Sequence, residues 1–450
     1  MSGSEAGLLR PGQGFATTSG RQGRVGALLG AGGQGEVYSV GLDGQTFALK
    51  WYHPHYAELD TTLRSRLDRA VRRGAPTEDF LWPLDLVDIP GSRSFGYVML
   101  LRTDDYVSIR DLIAPPPKRL ELSLARRATI CQQLARSFLQ LHANGFCYQD
   151  VNFGNIFLDP KRGRVLICDN DNVNIDGAEA SIYGTRKFMA PEVVRRETLP
   201  NSRTDLFSMS VLFFYTLFGW HPLDGRREAE TKLMNAAAEM RLYGEQPLFL
   251  FDPHDDANGP VPGLHDALVA RWNSLPTRLR TLFERAFGQG LSDPAARVLE
   301  TEWRGALRIV EEASFACPEC GFEHVAEPNP AGPPGVHERC LACTEPLATP
   351  AFLQVRDRLL AMTVGATMDG EVLERTLSGV AAGRVEAHPQ HPDRIGLRNL
   401  TGDAWRAILA DGASYTVPPG QVVRVLPGAT IDFGRNQGRI SQRLAAGEGT

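Results

Sequence analysis

The chain lacks the features of a membrane-bound, secreted or nucleic-acid-binding protein. No apolar run reaches the roughly twenty residues needed to cross a bilayer. The most apolar stretch, LFSMSVLFFYTLFGW at 206–220, is too short and too interrupted by polar residues, and reads as a buried core helix. The opening MSGSEAGLLRPGQG has no apolar h-region, so a cytoplasmic location without membrane attachment is expected. An excess of one charge is also missing. Lys and Arg number 48 against 53 Asp and Glu, a net charge of −5, and no nucleic-acid partner is expected. Cysteine is sparse. Of seven, four fall as CPEC (Cys317, Cys320) and CLAC (Cys340, Cys343), while Cys131, Cys147 and Cys168 sit among apolar residues as buried thiols of a reducing compartment. What is present is the composition of a soluble globular protein, 42% apolar and 22% charged, and 450 residues imply about two to four domains.

Residues 1–20, rich in Gly, Ser and Thr and without periodicity, read as a flexible leader. From 24 to 52, RVGALLGAGGQGEVYSVGLDGQTFALKWY alternates as consecutive antiparallel strands with glycine turns. Helical spacing follows at 61–73, then strand-like LWPLDLVDI and FGYVMLL. After PPP at 115–117, apolar positions over 122–143 recur at helical spacing, and HANG closes that helix. The strand RVLICD, a loop and helices continue to about 312, with the turn-rich 244–263 as an ordered insertion. Composition shifts at 313. PNPAGPPG at 328–335 lies between the two cysteine pairs, a β-rich segment runs from about 370 to 434, and the end of the chain tapers into a basic, Gly-rich tail; no internal repeat is visible.

Three local patterns carry chemistry. Gly30, Gly32 and Gly35 form G-x-G-x-x-G, which lets backbone amides approach phosphate oxygens. A dinucleotide-binding reading needs a helix directly after the glycines, whereas EVYSV reads as a strand. Fifteen residues after Gly35, Lys50 ends the alternating run FALK, which would hold its amine over the sheet. The stretch YQDVNFGNIF sets Asp150 and Asn155 five residues apart; alone, such a pair is more often a turn former. Asp169 lies fourteen residues beyond Asn155, at the end of the apolar VLIC, where a carboxylate can reach a divalent ion.

Taken together, GAGGQGEVY, FALK, YQDVNFGN, the Asp of CDND, GTRKFMAPE (184–192), DLFSMSVLFF (205–214) and Arg297 occur in the order and spacing of the eukaryotic-type protein kinase fold, which the chain resembles over about 24–312. More narrowly, FLWPLDLVD, PLFLFDP, the pattern at 272–287 and the downstream cysteine pairs are similar to bacterial kinases of tellurite-resistance and related stress gene clusters. Those kinases travel with a von Willebrand A-type protein and a metal-dependent protein phosphatase. The resemblance implies an α+β, two-lobed protein-kinase fold over 21–312, with a small lobe over about 21–103 and a large lobe over about 104–312. It implies ATP with Mg²⁺ or Mn²⁺, and phosphorylation of Ser or Thr on a protein substrate. Asp150 would orient and deprotonate the substrate hydroxyl, Asn155 and Asp169 would hold the metal, and Lys50 the α- and β-phosphates. Gly30, Gly32, Gly33, Gly35, Val37, Ala48 and Met99 would line the nucleotide. Gly184 and Thr185 match the GT of Ser/Thr-directed kinases, Glu192 would pair with Arg297, and Asp205 would anchor the catalytic loop.

The chain departs from the family at several positions. Tyr148 and Gln149 replace the His and Arg of the catalytic triplet, so switching by a phosphorylated activation loop is not expected. Asp169-Asn170-Asp171 replaces Asp-Phe-Gly, removing an apolar plug; the alternative it opens is a nucleotide-binding pseudokinase scaffold acting through the C-terminal third. Asp68 on the helix at 61–73 is expected as the counter-ion of Lys50 in the nucleotide site, Glu58 falling before that helix. Ser181, Tyr183 and Thr185 are candidate autophosphorylation sites.

In the C-terminal third, C-x2-C-x19-C-x2-C predicts a zinc ribbon over 313–347 in which Cys317, Cys320, Cys340 and Cys343 close a structural Zn²⁺ site. His324 and His337 could substitute for a zinc ligand, but histidines near such a ribbon more often face solvent, and that is the expectation here. Residues 355–436 form a β-rich domain whose segment 395–434 resembles the second half of a forkhead-associated sandwich. The Ser and His signature of that family is missing, and a docking role is expected; 437–450 is expected as a flexible tail.

Overall fold

A computed structural model of the chain describes residues 7–176, 183–329, 331–373 and 380–441. The chain divides into two compact units, one of Met1–Leu122, Gln133–Gly259 and Glu284–Thr301, the other of Ser123–Gln132, Pro260–Phe283 and Glu302–Thr450. No helix among the described residues is long and apolar enough to cross a membrane.

The first unit begins with a closed barrel of six antiparallel strands, β1 (Gly14–Thr17), β2 (Gln22–Ala31), β3 (Gly35–Leu42), β4 (Gln45–Tyr52), β5 (Asp85–Asp88) and β6 (Phe95–Leu100), in the order β1-β2-β3-β4-β6-β5. The leader expected over 1–20 therefore ends early. Leu9 and Phe15 are apolar residues buried in the barrel core, and β1 pairs with both β2 and β5. Alternation along β4 sorts its side chains between two environments. Phe47, Leu49 and Trp51 enter the barrel core; Ala48 and Tyr52 pack on the other face with Leu63 and Leu67. Lys50, of the same parity as Ala48 and Tyr52, is delivered to that second face.

Helix α1 (Pro54–Leu59) and helix α2 (Leu63–Arg73) follow β4. The buried positions of α2, Leu63, Arg66, Leu67 and Ala70, recur at helical spacing and define one inward stripe. Helix α3 (Leu124–Ala143) ends where HANG stops it, with Gly145 in the left-handed region at φ 74°.

Helix α4 (Pro191–Val194) and helix α5 (Ser202–Phe218) complete the frame of the site. The start of α5 is fixed by a capping box, in which Asn201 Oδ1 accepts from Thr204 N and Thr204 Oγ1 accepts from Asn201 N. Nearly every residue from Thr204 to Leu217 is buried, so this all-round apolar helix is a core element.

In the second unit, the two cysteine pairs follow helix Glu300–Ala313, whose last residues belong to this unit, and flank the short hairpin partner Glu323–Val325. Beyond them, ten strands form a six-stranded and a four-stranded antiparallel sheet that share one apolar core, including Leu353, Val385, Leu397, Trp405, Ile431 and Ile440. Its first strand, Phe352–Val355, starts before the expected boundary, and its last, Gln437–Ser441, occupies the start of the expected tail. Both are held by their mutual pairing, Leu353 opposite Ile440.

Candidate active site

The glycine motif closes a hairpin. β2 and β3 run antiparallel, and Gly32 N donates to Gly35 O at 2.9 Å across the turn. Gly35 faces Tyr52 on β4, and a Cβ there would lie 2.2 Å from Trp51 O, so only glycine allows the approach of these strands. Gln34, in the turn, reaches down to Lys50, with Oε1 2.7 Å from Nζ.

Lys50 is buried. Burial disfavours its ammonium, but the carboxylates of Asp171 and Asp169 outweigh that cost and raise its pKa above the ordinary lysine value. Nζ donates to Asp171 Oδ1 and Oδ2 at 3.0 and 2.9 Å and to Asp169 Oδ1 at 3.3 Å. The expected pair with Asp68 is not formed. Asp68 lies on the outward side of α2 and bonds Arg72 one turn on, at 2.5 Å. The charged residue on the inward stripe of α2 is a cation, Arg66, bonded to Asp60 at 2.9 Å. Glu58 is exposed on α1.

Asp150 and Asn155 lie between strands β7 (Phe146–Cys147) and β8 (Ile156–Leu158). The loop between them is held from below by Asp205 of α5, whose carboxylate accepts from Tyr148 N at 2.5 Å and Gln149 N at 3.0 Å. Gln149 takes a left-handed conformation at φ 73°. Asn155 Nδ2 donates to Asp150 O at 3.0 Å, and Asn155 O accepts from Cys168 N at 2.8 Å, which joins this loop to the Asp169 segment. Asp150 Oδ1 accepts from Thr185 Oγ1 at 2.9 Å. Gly184 makes that contact possible, since its φ is 96° and a Cβ would meet Gln149 O at 2.7 Å. Tyr183 is exposed, and Ser181 lies outside the described residues.

Asp169 ends the chain segment after strand β9 (Val165–Ile167) in a left-handed conformation, φ 50°. Partial desolvation of this half-exposed carboxyl raises its pKa, and the Asp171 charge adds to that rise against the opposing pull of Lys50. The next residue, Asn170, is buried, and its Nδ2 donates to Leu81 O at 2.8 Å and Ile167 O at 3.0 Å. Two backbone acceptors thus hold this polar side chain in the interior.

One lysine therefore meets two acidic groups, with Asp150 on the adjoining loop. The carboxylate of Asp169 and the amide oxygen of Asn155, whose Nδ2 is already engaged, are the hard oxygen donors that suit Mg²⁺ or Mn²⁺.

A half-buried imidazole and two buried carboxylates form a triad beside the loop that carries Asp150. His142, at the end of α3, has Nδ1 2.5 Å from Glu300 Oε1 and Nε2 3.2 Å from Asp205 Oδ2. Burial lowers its basicity, but the hydrogen bonds and charges of Asp205 and Glu300 prevail and raise its pKa to about 9. Arg297 bonds Glu192 of α4 at 2.8 Å, and also Gly290 O and Arg203 O.

In the second unit, the four cysteine Sγ atoms lie within 4.8 Å of one another. Cys317 to Cys343 is 3.9 Å and Cys320 to Cys340 is 3.6 Å. A tetrahedron of Zn–S bonds has edges of about 3.8 Å, and a disulfide would need about 2 Å, so the donor set fits a zinc ion. His324 does not face solvent. It is buried, with Nε2 3.4 Å from Cys340 Sγ, while His337 is exposed.

The roles of Asp171, Gln34, His142 and His324 were not legible in the motifs. The spacing did hold a signal against Asp68: apolar positions along 63–70 turn it away from the stripe, which excludes that acid without naming its replacement.

Residues 91–268 match the protein kinase domain family. The chain is 28% identical over 194 residues to CBL-interacting protein kinase 4 of Oryza sativa subsp. japonica, covering 40% of this chain and 42% of that protein. It is 27% identical over 302 residues to ribosomal protein S6 kinase alpha-2 of Homo sapiens, covering 62% of this chain and 40% of the relative. CBL-interacting serine/threonine-protein kinase 13 of Arabidopsis thaliana is 30% identical over 114 residues, 24% of this chain and 22% of its own length. The chain thus spans about two fifths of the length of the first two relatives. Residues 91–268 thus carry the likeness to a protein kinase domain, and the relatives bear the names of kinases, one of them a serine/threonine-protein kinase.

Proposed function

We propose that this chain transfers the γ-phosphoryl group of ATP to Ser or Thr hydroxyls of a protein, itself included. The observation that carries the reading is the convergence of Lys50 with Asp169 on one side and of Asp150 with a threonine hydroxyl on the other. Lys50 Nζ supplies a cation for the α- and β-phosphates, displacing Gln34 as nucleotide enters. Asp150 Oδ1 already accepts a hydrogen bond from Thr185, the chemistry required of it toward an incoming hydroxyl. Asp169 and Asn155 would hold Mg²⁺ or Mn²⁺, which when bound neutralises charge on the β- and γ-phosphates. Phosphoryl transfer passes through a loose transition state, so positioning and charge are most of what the chain must supply. Gly30, Gly32, Gly33, Gly35, Val37, Ala48 and Met99 line the nucleotide in this reading.

The finer organisation belongs to the same proposal. The kinase domain spans 21–312 and the zinc ribbon 313–347, and a forkhead-associated-like sandwich from about 355 serves as a docking module in the cytoplasm of a bacterium. Its partners are a von Willebrand A-type protein and a metal-dependent phosphatase. The partner reading comes from the sequence resemblance, and the cytoplasmic one from cysteine usage that suits a reducing compartment.

The test is transfer from γ-labelled ATP with Mg²⁺ or Mn²⁺ by wild type, Asp150→Asn and Asp169→Ala, with mapping of labelled residues. The expected result is label on Ser or Thr, reduced at least about 100-fold in both variants. Nucleotide binding without any transfer would overturn the catalytic reading in favour of a scaffold.

A further inference from the structure

A buried ammonium needs a counter-ion held at short range, because desolvation otherwise expels its charge. In protein kinases the phosphate-binding lysine takes that counter-ion from a glutamate on the helix packed over the sheet, and movement of the helix controls activity. The corresponding helix here is α2. Its inward stripe is Leu63, Arg66, Leu67 and Ala70, with no acid, and its one charged member is neutralised by Asp60. No rotation of a side chain on that stripe brings a carboxylate to Lys50.

The acid comes from the metal-binding loop. Both carboxylate oxygens of Asp171 accept from Lys50 Nζ, and Oδ2 also accepts from Tyr52 Oη at 2.7 Å. Its side chain is 1% exposed, whereas that of Asp169 is 42% exposed. The two carboxylates therefore divide the work: the dry one faces the lysine, the wet one is open to a cation. The short turn that carries Asp171 is pinned at Asn170 by the carbonyls of Leu81 and Ile167. Tyr52 lies on β4, two residues from Lys50, so acid, lysine and orienting hydroxyl sit on two fixed elements.

We propose that Asp171 is the positioning residue for Lys50, replacing the helix-borne glutamate, so that the nucleotide site is assembled without movement of α2. The inference rests on the kinase reading above. It agrees with the expectation, drawn from Gln149 in place of the usual arginine, that no phosphorylation-driven switch operates: no helix has to be brought in. It also predicts a distinctive defect. Without Asp171, Lys50 retains only Asp169 among its carboxylate partners and draws on the group intended for the metal.

The test compares wild type, Asp171→Asn, Asp171→Glu and Asp68→Ala in steady-state phosphate transfer at varied Mg²⁺, with binding of N-methylanthraniloyl-ATP measured in parallel. Asp171→Asn is expected to lower kcat at least about 50-fold and to raise the Mg²⁺ concentration for half-maximal rate at least about threefold. Asp171→Glu, which restores the charge, is expected to recover at least about tenfold of the lost rate, and Asp68→Ala to stay within about twofold of wild type. A purely structural role for Asp171 would lower the melting temperature without moving the Mg²⁺ dependence, and that result overturns the proposal. So does Asp171→Asn within about threefold of wild type, or an Asp68→Ala loss as large as that of Asp171→Asn. If Asp171→Asn does not fold, Tyr52→Phe removes only the orienting hydroxyl; the expected fall in kcat is about fivefold or more, and an unchanged rate counts against the proposal. Should wild type bind nucleotide yet transfer nothing, the catalytic reading fails by itself. The ion pair is then judged by nucleotide affinity: loosening of at least about tenfold in Asp171→Asn supports it, and unchanged affinity overturns it.

Discussion

Replacing His142 by glutamine removes the cation between Asp205 and Glu300 while keeping a polar side chain of similar length. In the folded chain the hydrogen bonds and charges of Asp205 and Glu300 outweigh burial and raise the imidazole pKa to about 9, against an ordinary value of 6.5. A group whose folded pKa is raised contributes stability that is complete below its unfolded pKa and is lost as pH rises through the folded value. The contribution is therefore whole below about pH 6.5 and gone above about pH 9. A difference of roughly 2.5 pKa units corresponds to about 3 kcal/mol. The assay is urea unfolding of wild type and His142→Gln at about pH 6 and about pH 10, with the stability difference taken at each pH so that titrations common to both proteins cancel. The gap is expected to shrink by about 3 kcal/mol between the two conditions. Asp205 also holds the backbone amides of Tyr148 and Gln149, so transfer activity should weaken over the same alkaline range in wild type. A stability gap that does not change with pH would refute the assignment of a charged His142.

Two further expectations concern the remaining buried sites. Arg297→Ala leaves Glu192 half-enclosed without its cation and is expected to cost about 3–5 kcal/mol, with part of the loss recovered by adding Glu192→Gln; a cost under about 1 kcal/mol in urea unfolding would contradict the pairing. Elemental analysis of the purified chain should give about one zinc per molecule, with Cys340→Ser losing most of it and becoming susceptible to proteolysis between the cysteine pairs; a full-length protein that stays metal-free in zinc-supplemented medium, with its thiols reactive, would remove the ribbon.

Whatever depends on spacing along one strand, turn or helix was legible in the order of residues. Alternation in FALKWY sets Lys50 on the face opposite Phe47 and Leu49, because side chains of a strand point to opposite sides by turns. The same local logic made DLFSMSVLFFYTLF a core helix, and the C-x2-C spacing marked the four cysteines that the fold then gathers into one cluster. Even the outward position of Asp68 was implicit in the helical spacing of its neighbours. Which distant groups meet depends instead on how the elements pack. Lys50 and Asp171 are separated by 121 residues, and His142 and Glu300 by 158. Nothing in a local pattern distinguishes the second aspartate of CDND as the dry partner of a lysine from an exposed turn residue. That choice follows from burial, which strengthens one ion pair and excludes the alternatives, and burial exists only once strand, turn and helix have packed. His324 shows the same dependence: its contact with Cys340 arises from the fold of the hairpin around the cysteine cluster, where sequence alone left it on the surface.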